Sequence, residues 1–148
     1  MAEKKEDIKN KDVEKEESIV DKFEDVMNDV NDDTKSFTEK DINNGKVMAI
    51  IAYLGILCLI PYFGEKENKF AKYHAKEGVN LLLISIIGFA ALGVLNVIFS
   101  VIHLGILISI IEWLFEIIIF ALSIVGIINV ANGKAKELPI INKFKIIK

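Results

Sequence analysis

The chain has 148 residues, 52% of them hydrophobic, with a mean hydropathy of +0.39 and a formal net charge of −3. That is too apolar for a small soluble domain, and the lysines are too evenly compensated by Asp and Glu for a nucleic-acid surface. Charge is segregated: residues 1–46 hold nine of the 18 lysines and 15 of the 21 acidic residues, net −6, whereas the remainder is net +3.

In chain order, residues 1–37 come first, rich in Lys, Glu, Asp and Asn and with no aromatic before Phe23. Such a segment buries too little apolar surface to offset its ordering entropy and reads as a largely disordered acidic tail. Within it Ile19, Val20, Phe23, Val26, Met27 and Val30 recur at spacings of three and four, the stripe of a transient helix or of a docking helix for a basic partner. Ser36 with Glu39 and Thr38 with Asp41 offer helix-capping patterns that open a helical membrane domain over 38–148.

The first apolar run, Val47–Phe63, extended back past Lys46, gives a first span over about residues 45–63, ended by Pro61, Tyr62, Phe63 and Gly64. Lys and Glu alternate ahead of it, with no cleavable signal pattern, so the run is expected to stay as an anchor. Cys58, the lone cysteine, lies inside it and reads as a small buried side chain. Residues 65–78 form a polar connector in which Phe70, Tyr73, His74 and Glu77 share a helical face, suited to lie along the membrane surface.

From Val79 to Ala131 only His103, Glu112 and Glu116 can carry charge. The stretch is too long for one span and suits two, over about 79–99 and 113–131, with Asn132-Gly133-Lys134 as a stop. A helix starting near Gly105 would put Glu116 near mid-bilayer, where a charge costs about 2.5–3.5 kcal/mol or more. A start at Trp113 avoids this and leaves 100–112 as an interfacial or re-entrant segment. Residues 134–148 are a basic tail. The expected fold is all-α: a polytopic helical membrane protein of three transmembrane helices, with four as the alternative. Nine lysines in the connector and tail place the C-terminus in the cytoplasm and the acidic tail outside.

Three sequence pieces then line up. They are Ala49-Ile50-Ile51-Ala52-Tyr53-Leu54-Gly55 with Ile60-Pro61-Tyr62, the run from Lys69 through Phe70, His74 and Gly78 to Asn80, and Asn129-Val130-Ala131-Asn132-Gly133 followed by Leu138-Pro139. Together they resemble the small prokaryotic membrane family grouped with the Tic import component of the chloroplast inner envelope, over roughly residues 38–146. Position 78 is Gly where that family commonly has Ala. The resemblance implies the helical architecture and a link to protein translocation.

His74, beside Lys72, Lys76 and Glu77, reads as an interfacial residue or a pH-responsive partner contact. Glu112 and Glu116, one turn apart, are either interfacial and hydrated or proton or cation sites, with His103 able to join them across a turn. Asn80 reads as an interhelical hydrogen-bond partner. No nucleophile constellation, phosphate loop or metal-ligand spacing is present, so neither enzyme activity nor a cofactor or metal is expected. The expected role is a non-catalytic interaction or scaffold component of the cytoplasmic membrane. Its partners would be the lipid bilayer, copies of itself or other membrane proteins. The alternative is an oligomeric channel or transporter subunit using Glu112 and Glu116.

Overall fold

A computed structural model describes residues 21–147 other than 23, 27, 102 and 104. Among the described residues there is no strand, only an isolated antiparallel bridge between Asp32 and Lys136. The chain divides after Val30 into two units. In the first, residues 21, 22, 24–26 and 28 are helical, and the Asp29 N–H donates to the Asp25 carbonyl. Most of the acidic tail, and the apolar stripe from Ile19 in large part, lie outside the described residues.

The second unit begins at Asn31. Thr38 caps helix α1, Glu39–Ile51, by accepting from the Asp41 N–H, as the sequence pattern indicates. Thirteen residues of helix reach about 20 Å, short of a bilayer core of about 30 Å. The chain turns at Ala52–Leu54, passes Gly55 at φ +60° and a 3-10 turn over Gly55–Cys58, then returns as α2, Leu59–Gly64. Pro61 explains the restart. In a continuous helix it would sit in the interior and cancel the bond to the Leu57 carbonyl, whereas here it falls in a first turn. After α2, the Asn68 side chain donates to the Asp41 carbonyl at 2.8 Å, so residues 42–67 leave and rejoin one place. Instead of the single span expected over 45–63, the run is a helical hairpin.

Asn68 also caps α3, Lys69–Ser100, through the Ala71 N–H. A short turn containing His103 leads to α4, Gly105–Ala131, which ends where Asn132 and Gly133 (φ +67°) break it. Helix α4 is continuous from Gly105, where a start at Trp113 after an interfacial 100–112 was expected. In this stretch Ser109 Oγ donates to the Gly105 carbonyl, and the Glu112 carboxylate accepts from Asn96 on α3, which ties the two helices together. The two helices pack through Gly88, where a Cβ would lie 2.3 Å from the Phe115 ring, and through Phe89 against Phe115.

The core gathers at one end of the α3–α4 pair. It joins Ala49, Ala52 and Tyr53 of the hairpin, Phe70 and Leu81 of α3, Leu122 and Val130 of α4, and Ala135, Leu138 and Ile141 of the C-terminal tail. Beyond it the helices are bare. No more than 17% of either apolar stretch is buried, and Ile87, Val94, Val97, Ile106 and Phe120 are exposed. Such a surface marks a membrane protein, and α3 and α4, roughly 48 and 40 Å long, are both long and apolar enough to cross.

Candidate functional site

His74, Glu77 and Asn80 recur every third residue near the start of α3, and all three are buried. Residues 69–78, expected to belong to a polar connector, are the first turns of α3, and the C-terminal tail folds across them; Asn80, expected to bond a neighbouring helix, bonds that tail instead. Asn80 works as a clamp. Its Oδ1 accepts from the Ile146 and Ile147 N–H groups at 3.1 and 2.7 Å, and its Nδ2 donates to the Ile147 carbonyl at 2.9 Å. Glu77 accepts from the Leu138 N–H at 3.1 Å and pairs with Lys145 at 3.0 Å.

Lys145 joins two carboxylates, its Nζ lying 2.6 Å from Glu137 as well. Burial pulls its ammonium down, but hydrogen bonds to Glu137 and Glu77 outweigh that and raise it above the ordinary lysine value. Glu137 in turn accepts from the Asn31 side chain, and its N–H donates to the Asn31 carbonyl. Asp33 N–H to Ala135 O, Ala135 N–H to Thr34 Oγ1 and a long Lys136–Asp32 pair complete the seam. Residues 31–34, read from the sequence as the end of a solvated tail, are therefore bonded along the C-terminal tail, and Phe37 packs edge-on against Phe70 and Tyr73 of α3. Hydrogen bonds from Thr34 hold the Asp32 carboxyl below its ordinary value.

His74 is enclosed by rings. Phe70, Tyr73 and Tyr53 meet it edge-on, with centroids 4.6, 5.2 and 5.8 Å away, and its Nδ1 shares a 2.8 Å hydrogen bond with the Tyr53 hydroxyl. Tyr53, at the hairpin tip, meets α4 at Gly126, so His74 ties hairpin to helix pair. It is fully buried in the core.

Glu112 and Glu116 part company. Asn96 Nδ2 reaches Glu112 at 3.2 Å and Ser109 at 3.1 Å, bridging α3 and α4. Glu116 is exposed at the rim of an apolar cleft of about 480 Å³ that Tyr53, Phe89, Phe120 and Ser123 also line. His103 sits in the exposed turn at φ +59°, its N–H donating to the Ser100 carbonyl, and is not drawn to either carboxylate. Among the described residues no group of three or more His, Cys, Asp or Glu could hold a metal ion. The arrangement of His74, Glu77, Asn80 and Lys145 fastens backbone and helices together. Sequence reasoning missed Tyr53, Asn31, Glu137 and Lys145. Only the Leu138-Pro139 motif beside Glu137 hinted that the tail mattered.

No solved structure matches the chain. It is similar to the magnetosome protein MamF of Magnetospirillum gryphiswaldense, 33% identical over 99 residues that cover 65% of this chain and 78% of that protein. It is also similar to MamF and MmsF of Paramagnetospirillum magneticum, 31% and 27% identical over 66% and 65% of this chain and 79% and 80% of theirs. The resemblance to a Tic-like import component is thereby overturned: its motifs fall inside the stretch these proteins share, and Phe70, His74, Asn80 and Leu138 serve there as core and clamp. With a match to the family over residues 44–146, from α1 to the C-terminal clamp, the chain belongs to the magnetosome magnetite crystal formation protein family.

Proposed function

We propose that this chain is a non-catalytic membrane component of magnetite crystal formation, acting as a scaffold whose polar end is held at the membrane surface. One observation carries the reading: the family match spans α2, α3, α4 and the clasped tail through Ile146, so the shared unit is the whole helical assembly and not a detachable site. The curated relatives are named magnetosome proteins. In a magnetosome-forming bacterium stripped of its own family members, expression of this chain is expected to restore crystal size and shape by electron microscopy. Crystals indistinguishable from those of the stripped strain would contradict the reading.

The topology we favour has two spans, α3 and α4, with the α1–α2 hairpin dipping in and out on one side. The seam between residues 31–34 and 135–137 supports entry and exit on the same face. Nine lysines in the connector and tail favour the cytoplasm for that face. The import link suggested by the earlier resemblance falls with it.

A second reading keeps the carboxylates active, as an oligomeric subunit passing protons or cations along Glu112 and Glu116. It is favoured by the continuity of α4, which sets both on a helix able to cross a membrane. Ion flux from purified protein in liposomes, lost in Glu112→Gln/Glu116→Gln, would support it, and equal flux with the variant would count against it.

A further inference from the structure

Midway along α4, Trp113, Glu116, Ile117 and Phe120 close around a hollow of about 170 Å³. Their spacing puts them on one helix face, with Glu116 about 4.5 Å along the axis from Trp113 and about 6 Å from Phe120. The carboxylate therefore lies between two aromatic side chains, each with 66% of its surface exposed. Among the described residues no hydrogen bond or ion pair reaches Glu116, and neither ring packs against another. Along the helix Glu116 is about 16 Å from Gly105 and about 22 Å from Ala131, far from the headgroups at either end. No lysine or arginine stands between Val79 and Ala131, so the chain brings no fixed positive charge to that depth. A second hollow opens from the same carboxylate. Glu116 also lines the apolar cleft of about 480 Å³, which is walled by Tyr53 and Leu54 of the hairpin tip and by Phe89 of α3. Its volume falls within the roughly 300–1,000 Å³ of sites that take drug-sized molecules.

We propose that the two hollows form one binding site for an amphiphilic organic cation, its ammonium on the Glu116 carboxylate between Trp113 and Phe120 and its hydrocarbon part in the cleft. The inference rests on the membrane reading above and needs no passage of ions. A positive head supplies the partner that a lone carboxylate lacks in lipid. The negative faces of the two rings attract the same head, that of Trp113 most strongly. A divalent metal ion is a poor occupant, because hard cations take about six or more oxygen ligands and this site offers one carboxylate. A neutral apolar molecule would fill the cleft and leave Glu116 unmatched. The aromatic pair suits a weakly hydrated ammonium, and the cleft suits the chain attached to it.

The test uses the full chain in phosphatidylcholine vesicles, with carbonate extraction first. Release from the membrane would sink the membrane reading itself, and binding is scored only on protein that stays embedded. The probe is radiolabelled decyltrimethylammonium, measured against protein-free vesicles and competed with its neutral carbon isostere and with decyl sulfate. The expected result is saturable binding, with both competitors at least about tenfold weaker than the unlabelled cation. Trp113 is the only tryptophan, so its fluorescence should change along the same isotherm. Glu116→Gln is expected to weaken binding at least about tenfold and Trp113→Leu about threefold, while Glu116→Asp keeps most of it. Both side chains are exposed, so melting of these variants in detergent should match that of the unsubstituted chain, which separates lost affinity from lost fold. Binding that never saturates, equal affinity for the neutral isostere, or full affinity in Glu116→Gln would overturn the proposal.

Discussion

Glu77 is 2% exposed, yet it holds both the Leu138 N–H and the Lys145 ammonium. Replacing Glu77 with Leu strands that N–H and leaves Lys145 on Glu137 alone. Unfolding free energy in detergent is expected to fall by about 3 kcal/mol, the low end for breaking a buried pair because Lys145 keeps some solvent access. Lys145 also sets a pH signature. Its ammonium is raised above the ordinary value of 10.5, so its contribution is complete below that pH and drains away as pH climbs through the raised value. Thermal melting is therefore expected to drop above about pH 10.5, and Lys145→Met should remove that part of the slope. An unchanged alkaline slope in the variant would refute this role. His74, Glu77 and Asn80 stood out in the sequence as polar residues at a helix entry. The partners of Glu77 and Asn80 did not, because Leu138, Lys145 and Ile147 lie more than 60 positions away and only the fold brings them back.

Helix α3 and helix α4 were legible because apolar runs of that length have few other uses, and Thr38 and Asn132-Gly133 mark boundaries through local chemistry alone. The hairpin of α1 and α2 was not, because a run of 17 apolar residues reads alike whether it crosses or turns back. What separates the two is a long-range contact, the close approach of α3 to the turn at Ala52. A Cβ on Gly78 would fall 1.8 Å from the Ala52 carbonyl oxygen. That explains Gly at a position where Ala would otherwise suit a helix. Gly78→Ala is expected to destabilise by about 3 kcal/mol or more, since backbone must move to relieve the clash. Gly93→Ala, with nothing within 4 Å, should be neutral or stabilising by up to about 1 kcal/mol. Matched thermal melts of the two variants check this, and similar losses in both would mean that the hairpin does not press on α3.

At the scale of the whole molecule, a clasped polar end and a bare helix pair divide the labour. The seam ties residues 31–34 to the tail, Asn68 ties hairpin entry to hairpin exit, and the far end carries the His103 turn. The membrane class was readable from composition, whereas the family was not, since the residues that stood out, such as His74 and Asn80, pack and clamp and spell no chemistry. The proposed two-span arrangement is the account's central claim, and sidedness tests it most directly. Single cysteines at Lys35, His103 and Lys143, all exposed, should be probed with a membrane-impermeant thiol reagent in vesicles of known orientation. Lys35→Cys and Lys143→Cys are expected to label together, from the face opposite to His103→Cys; labelling of Lys35→Cys and Lys143→Cys from opposite faces would contradict it.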